Sequence, residues 1–311
     1  MKRIKLSPDE LKCLRFIASR RTSRVSDIAS ALNISKVQLS RVISGLVDKG
    51  FITTKKQGLS KNVSLSETKH AALWRSLSLE FGHMPLHKLL SGGSLEVLSA
   101  IGSQQLTNRR TIAESSLISE ATAARVLERL GQLGVVQKKG AYRISPRFQI
   151  LGEFTAEFRR YINRKVALEF APDAAIVWER NVEFIVESSR SEESDGFLLT
   201  GVSAFARFGV SLMASKSHFF HSPFAMRLRL EEVLIHSLLI PNFSLLPTLL
   251  TWRKNEAKLD SRYLRDSAEK YDVATSVAEI TRYFESHGAE RPDRFPPWNE
   301  FLARAKEYGI Q

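Results

Sequence analysis

Lys36, Gln38 and Arg41 stand near the start of one helix-patterned segment, and Lys55, Lys56 and Lys61 follow in a segment that alternates like a strand. Each carries hydrogen-bond donors on a long side chain. A guanidinium or ammonium group can hold a phosphate or the O6/N7 edge of guanine, and a carboxamide can pair with the N6/N7 edge of adenine. Ser35 and Val37 lie among them. A hydroxyl suits phosphates and bases alike, and an apolar side chain suits the methyl group of thymine. Together these groups have the chemistry to recognise a polyanion that also displays base edges.

Such a set works only if the chain aims it. Ser7-Pro8-Asp9-Glu10 offers a capping serine, a proline at the first helical position and acids in the first turn, and Leu11, Leu14 and Ile17 give the helix an apolar stripe. Val25, Ile28, Ala29 and Leu32 predict a short second helix over residues 25–32. Asn33-Ile34 makes the turn, and Ser35 caps a third helix in which Leu39, Ile43, Leu46 and Val47 are expected to face inward. Lys36, Val37, Gln38 and Arg41 then share the opposite face, and Gly50 stops the helix. FITTKKQGLSKNVSLS alternates and turns at Gln57-Gly58, which predicts a two-stranded wing with the three lysines at its tip. The order has a physical purpose. The major groove admits one helix whose N-terminal residues reach base edges, while a basic hairpin lies along phosphates or the neighbouring minor groove.

The string IASALNISKVQLSRVISGLVDKGFI, with the wing behind it, resembles the MarR-like winged helix-turn-helix regulators, especially archaeal ones. The resemblance implies a winged-helix fold, duplex DNA as the ligand and transcriptional regulation as the role.

Residues 11–55 recur at 95–139, shifted by 84 positions. Leu11, Leu14 and Ile17 match Leu95, Leu98 and Ile101; Ile28-Ala29 matches Ile112-Ala113; Ile34-Ser35 matches Ile118-Ser119; Arg41-Val42, Leu46, Gly50 and Lys55 match Arg125-Val126, Leu130, Gly134 and Lys139. A fixed offset through successive elements predicts a second copy of the same module. In its third helix Ala123, Leu127 and Leu130 are core, and Thr122 and Arg125 point outward. Its wing turns at Gly140 and carries Lys138, Lys139 and Arg143. Glu120 replaces Lys36, which weakens the case for phosphate contact, although a carboxylate can accept from cytosine N4. The segment ETKHAALWRSLSLEF joins the two modules as a helix, and an amphipathic run over 147–170 follows them with Arg159, Arg160, Arg164 and Lys165 expected outward.

Charge follows the repeat. Residues 1–165 hold 29 Lys and Arg against 12 Asp and Glu, and residues 166–311 hold 17 against 21, so the balances are +17 and −4. The basic excess lies wholly in the repeated half, where a polyanion would meet it. The lone Cys13 permits no intrachain disulfide and no multi-cysteine zinc site. The stretch 233–251 is interrupted by His236, Pro241, Asn242 and Pro247, so it reads as core helices rather than a membrane span, and a cytoplasmic location is expected.

Beyond Pro172, AAIVWER, VEFIVESS, FLLT and SHFFHSP read as strands, SRSEESDG as a polar loop, and the chain from RLEEVLIHSLLI onward as helical. LLTGVSAFARFGV with the Glu-Glu-x3-His helix after it resembles the C-terminal domain of AbiE-type antitoxins and related nucleotidyltransferase-like folds. That resemblance implies a partner protein, a toxin, for this half. A working nucleotidyltransferase needs a Gly-Ser turn followed closely by paired acids for Mg²⁺, and Gly92-Gly93-Ser94 and Thr200-Gly201 lack them. His218 and His221, three apart on a strand, point to opposite faces and make no metal pair; His236 reads as a hydrogen-bonded core residue. In the last helix Trp298, Phe301 and Leu302 share a side.

The sequence thus predicts a mainly α chain with an α+β C-terminal domain: winged helices over 1–82 and 83–146, a linker helix over 147–170 and an α+β domain over 171–311. The expected function is sequence-specific binding of double-stranded DNA by a transcriptional regulator with no enzymatic activity, no cofactor and no metal. A homodimer, or a protein partner held by the C-terminal domain, is compatible with it. The alternative reading is an antitoxin-like protein that binds a toxin and regulates its own operon.

Overall fold

Ser7-Pro8-Asp9-Glu10 starts α1 (Pro8–Ala18) with a reciprocal cap. In a computed structural model, which describes residues 4–58, 60–104, 108–194, 196–212, 215–242 and 244–310, the Glu10 N–H donates to Ser7 Oγ at 3.1 Å and the Ser7 N–H to Glu10 Oε2 at 2.7 Å. Two of the helix's orphan donors are satisfied in this way. By its internal contacts the chain divides into two compact units, Met1–Val166 and Ala167–Gln311.

In the first unit a two-residue strand, β1 (Ser23–Arg24), leads into α2 (Val25–Leu32). Asn33, at φ 50°, turns the chain, and Ser35 Oγ accepts from the Gln38 N–H at 3.1 Å to cap α3 (Lys36–Asp48). Gly50, at φ 72°, ends the helix where a Cβ would run into the ring of Tyr161. β2 (Ile52–Gln57) and β3 (Ser60–Leu65) form the wing, and β1 adds to it, giving an antiparallel sheet in the order β1-β3-β2. Helices α4 (Lys69–Glu80) and α5 (Leu86–Leu89) follow.

The chain then repeats the pattern as α6 (Ser94–Gln104), α7 (Arg109–Ser116), α8 (Glu120–Gln132), β4 (Val136–Lys139) and β5 (Ala141–Ile144). The hydrogen bonds repeat with it. Ile34 N donates to Ala29 O and Ile118 N to Ala113 O, both at 3.2 Å; Phe51 N donates to Leu46 O and Val135 N to Leu130 O, both at 2.9 Å. Leu117 takes the left-handed conformation of Asn33, at φ 56°, a geometry costing a non-glycine residue about 1–2 kcal/mol.

After a 3₁₀ turn at Pro146–Phe148 comes α9 (Gln149–Phe170). Its residues Leu151, Phe154, Phe158 and Ile162 belong to one continuous core shared by Leu14, Leu39, Leu46 and Trp74 of the first module and Leu98, Ile112, Leu127 and Leu130 of the second. Phe158 packs 4.9 Å from Phe51 and 5.4 Å from His70, centroid to centroid. The buried His70 ring bonds through Nε2 to Lys49 O at 3.0 Å, and burial holds its pKa down at about 4. The two modules and this stretch of α9 therefore stand or fall together.

Two expected orientations are corrected here. Val47 is 43% exposed, because the inward stripe of α3 is Leu39, Val42, Ile43 and Leu46 and its centre lies short of residue 47. Arg159 is buried against Glu96 of α6 rather than outward; burial lowers its pKa and the carboxylate opposes that shift.

In the second unit β6 (Ala175–Arg180), β7 (Glu183–Ser188), β8 (Phe197–Thr200) and β9 (Ser217–His221) form an antiparallel sheet in the order β6-β7-β9-β8. A 3₁₀ stretch, Gly201–Phe208, joins β8 towards β9. The α-helices α10 (Leu230–Leu239), α11 (Leu246–Asn255), α12 (Ser261–Lys270), α13 (Ala274–Glu285) and α14 (Trp298–Glu307) follow. Ile185 and Phe220 of the sheet share a core with Leu234, Trp252, Ile280 and Phe301. His236 is fully buried there; its Nδ1 pairs with Thr200 Oγ1 at 2.8 Å, and burial pushes its pKa down to about 3. Leu302, expected beside Phe301, is instead 42% exposed. The chain is mainly α, with an α+β second half. Leu59 of the wing turn and Asp195 of the polar loop lie outside the described residues.

Candidate nucleic-acid interface

The exposed side of α3 is built by its period. With Leu39, Val42, Ile43 and Leu46 inward, Lys36, Val37, Gln38, Ser40, Arg41 and Ser44 are left in solvent. Val37 is 65% exposed. Ser40 and Ser44, not expected from the sequence, continue the Val37–Arg41 stripe at helical spacing and could have been read by extending the period from Val37. Gln38 is already engaged: its Nε2 donates to Asp9 Oδ2 of α1 at 2.7 Å. Among the described residues no carboxylate pairs with Lys36 or Arg41, whereas Lys49 pairs with Glu10 at 2.6 Å and Lys69 with Glu157 at 2.7 Å.

In the wing, Lys56 lies directly opposite Lys61, while Lys55 lies opposite Asn62. Opposed residues of an antiparallel pair share a face, and successive residues alternate. Lys56 and Lys61 therefore sit on the side of Ile52 and Val63, beyond the core's edge, and Lys55 sits on the other side. The three lysines expected at one tip are split two and one. Two ammonium groups facing each other repel unless an anion lies between them.

The second module keeps the backbone and changes the surface. Ser119 caps α8 as Ser35 caps α3, accepting from the Thr122 N–H at 3.2 Å. Thr122 is half-buried, its Oγ1 2.9 Å from Ser119 Oγ and 3.4 Å from an Arg125 nitrogen, so it is tied down locally. Arg125 is exposed. Glu120 accepts from Arg109 Nε of α7 at 3.1 Å, and Glu128 stands exposed where the first module has Ser44. The cationic stripe of α3 has thus become a mixed one. Lys138 lies on the face of Tyr142, 5.5 Å from the ring centroid, while Lys139 and Arg143 share the opposite face of the hairpin. Inside, a swap preserves the fold: Glu10 lies over Gly45, where a Cβ would come within 2.6 Å of its Oε1, whereas Ser94 meets Arg129 at the corresponding pair of positions.

Among the described residues no three His, Cys, Asp or Glu side chains gather as metal ligands, and no helix is long and apolar enough to cross a membrane.

Comparison with known families agrees with this geometry at the first module. A MarR family model matches residues 6–57, from the approach to α1 through the end of β2. A second model, HVO_2833_C, described only as C-terminal, matches residues 194–310 and carries no statement of activity or partner. No curated protein matches the chain. The MarR match supports DNA binding and transcription regulation as the general class.

Proposed function

We propose that the chain is a cytoplasmic, sequence-specific regulator of transcription in which duplicated winged helices bind one duplex unequally. The observation that carries this reading is the exposed, unpaired cationic stripe on α3 within the residues matched by the MarR family. The N-terminal half of α3 enters the major groove. Arg41 and Lys36 reach guanine edges or phosphates, Val37 meets a thymine methyl, Gln38 exchanges Asp9 for a base edge, and Ser35 binds the backbone. Lys56 and Lys61 hold a phosphate between them, and Lys55 another. In the second module Arg125, Lys139 and Arg143 contact adjacent backbone; Lys138 and Thr122 assist from positions already tied to Tyr142 and Ser119. The protein acts by binding, as one chain or as a homodimer, and has no catalytic step.

A mobility-shift titration tests it. With roughly 6–10 phosphates engaged, affinity for a duplex falls about 10³–10⁵-fold between 50 and 200 mM salt. Arg41→Ala relaxes the preference between sequences at one base pair, worth about 1–3 kcal/mol of discrimination. Absence of duplex binding, or binding indifferent to salt, overturns the proposal.

A further inference from the structure

Sheet register places a second cationic surface on the first module. Ser23 pairs with Val63 and Arg24 with Asn62, while Asn62 also pairs with Lys55. Arg24, Asn62 and Lys55 consequently form one row across β1, β3 and β2, on the face away from Ile52 and Val63. The neighbouring row on that face is Thr53 and Ser64, whose hydroxyl oxygens lie 3.1 Å apart. Arg24 and Lys55 are exposed, and so are Arg20 and Arg21 in the segment just before β1. No carboxylate stands in either row, and among the described residues none pairs with Arg24 or Lys55. Elsewhere in this unit Lys49, Lys69, Lys165, Arg109 and Arg110 all have acid partners.

A solvated sheet face ordinarily mixes both signs, which limits repulsion and aggregation. A face holding only cations, hydroxyls and an amide is instead complementary to phosphate oxygens, which accept from all three. Arg24 also sits at the N-terminal boundary of α2, so its row is joined to the helices that carry α3. Two strand spacings separate Arg24 from Lys55, about 10 Å between backbones, which two long side chains can narrow onto nearby phosphates of one strand. Arginine adds a two-pronged grip that fits a phosphate.

We propose that this outward sheet face, with Arg24 and Lys55 flanking Asn62, is a rail for the DNA backbone beside the groove entered by α3. The proposal rests on the DNA-reading function above and adds to it a surface that contributes affinity without sequence preference. It is tested by fluorescence anisotropy of the full chain on a mixed-sequence 40-base-pair duplex between 50 and 200 mM salt. The variant is Arg24→Ala with Lys55→Ala. The control, Arg75→Ala with Lys88→Ala, removes the same charge from exposed positions on α4 and α5. Loss of two phosphate contacts makes the slope of log affinity against log salt shallower by about 1.8, equally on every duplex. The control leaves the slope unchanged, and circular dichroism melts of all three proteins coincide. An unchanged slope in the rail variant overturns the rail, and with it the phosphate assigned to Lys55, and leaves the α3 reading standing. An equal change in the control overturns it too, because bulk charge then explains the effect. Failure of the wild-type chain to bind the duplex overturns both.

Discussion

Replacing Arg159 by methionine isolates the most deeply buried ion pair among the described residues of the first unit. The side chains of Arg159 and Glu96 are only 3% and 4% exposed, and they join α9 to α6. Methionine keeps most of the packing volume and removes the charge, leaving Glu96 with two choices. Staying ionised without Arg159 costs about 3–5 kcal/mol. Taking up a proton at pH 7 costs about 1.36 kcal/mol for each unit between 7 and the ordinary glutamate value near 4.3, or about 3.7 kcal/mol. The second route caps the first, so Arg159→Met destabilises the unit by about 4 kcal/mol at pH 7. The sign of the pH dependence follows. In the variant the Glu96 pKa is raised in the folded state, so the loss shrinks as pH falls towards the unfolded value, reaching about 1 kcal/mol at pH 5. Urea unfolding followed by far-ultraviolet circular dichroism measures this, with wild type and variant compared at each pH so that other titrations cancel. Adding Glu96→Leu to Arg159→Met removes the buried carboxylate and recovers most of the loss. A single variant within 1 kcal/mol of wild type at pH 7, or a loss equal at pH 7 and pH 5, would refute the reasoning.

Gly50 and Gly134 occupy corresponding turns, at φ 72° and 68°, but a Cβ at Gly50 strikes the Tyr161 ring and one at Gly134 meets nothing within 4 Å. Gly134→Ala therefore costs the left-handed strain alone, about 1–2 kcal/mol. Gly50→Ala costs about 1–3 kcal/mol more from overpacking, and the two urea midpoints should separate accordingly. For His70, whose pKa is depressed to about 4, the sign is that of a histidine buried neutral: its contribution is present above the unfolded value near 6.5 and is lost as pH falls through about 4. The span corresponds to about 3 kcal/mol, and His70→Leu should flatten the stability profile over that window relative to wild type.

Local chemistry made much of the fold legible. Ser7-Pro8, Ser35 and Gly50 mark boundaries through bonds to residues within a few positions, and the strands of the second half declare themselves by apolar composition. What stayed hidden depends on partners distant in sequence. Arg159 reads as solvent-facing because its Glu96 partner lies 63 residues away, and Gln38 reads as free because Asp9 lies 29 away. The split of the wing lysines follows from pairing register, which a one-residue slip would reverse. Arg24 was invisible as an interface residue for a related reason: a two-residue strand has no periodicity to read, and only its pairing with Asn62 puts it in line with Lys55.

The two modules also separate what a fold requires from what its surface does. At corresponding positions the turns at Ile34 and Ile118, the caps at Ser35 and Ser119 and the strand entries at Phe51 and Val135 keep the same hydrogen bonds to within about 0.1 Å, while Glu10 over Gly45 becomes Ser94 against Arg129. The interior has thus found two packings for one backbone, as cores do when volume is redistributed rather than lost. The surface has not been kept in the same way. Lys36 becomes Glu120, held by Arg109, and Ser44 becomes Glu128, so the helix that would enter a groove gains two acids. Two carboxylates near a phosphate backbone oppose binding, and pairing Glu120 with Arg109 cancels part of that opposition without making the stripe cationic. Under the proposed function, a module with an intact frame and a mixed-charge helix is better suited to hold the first module's register along the duplex, through Lys139 and Arg143, than to read bases itself. In the proposed function the core shared with α9 supplies the rigid spacer that a fixed register along the duplex requires.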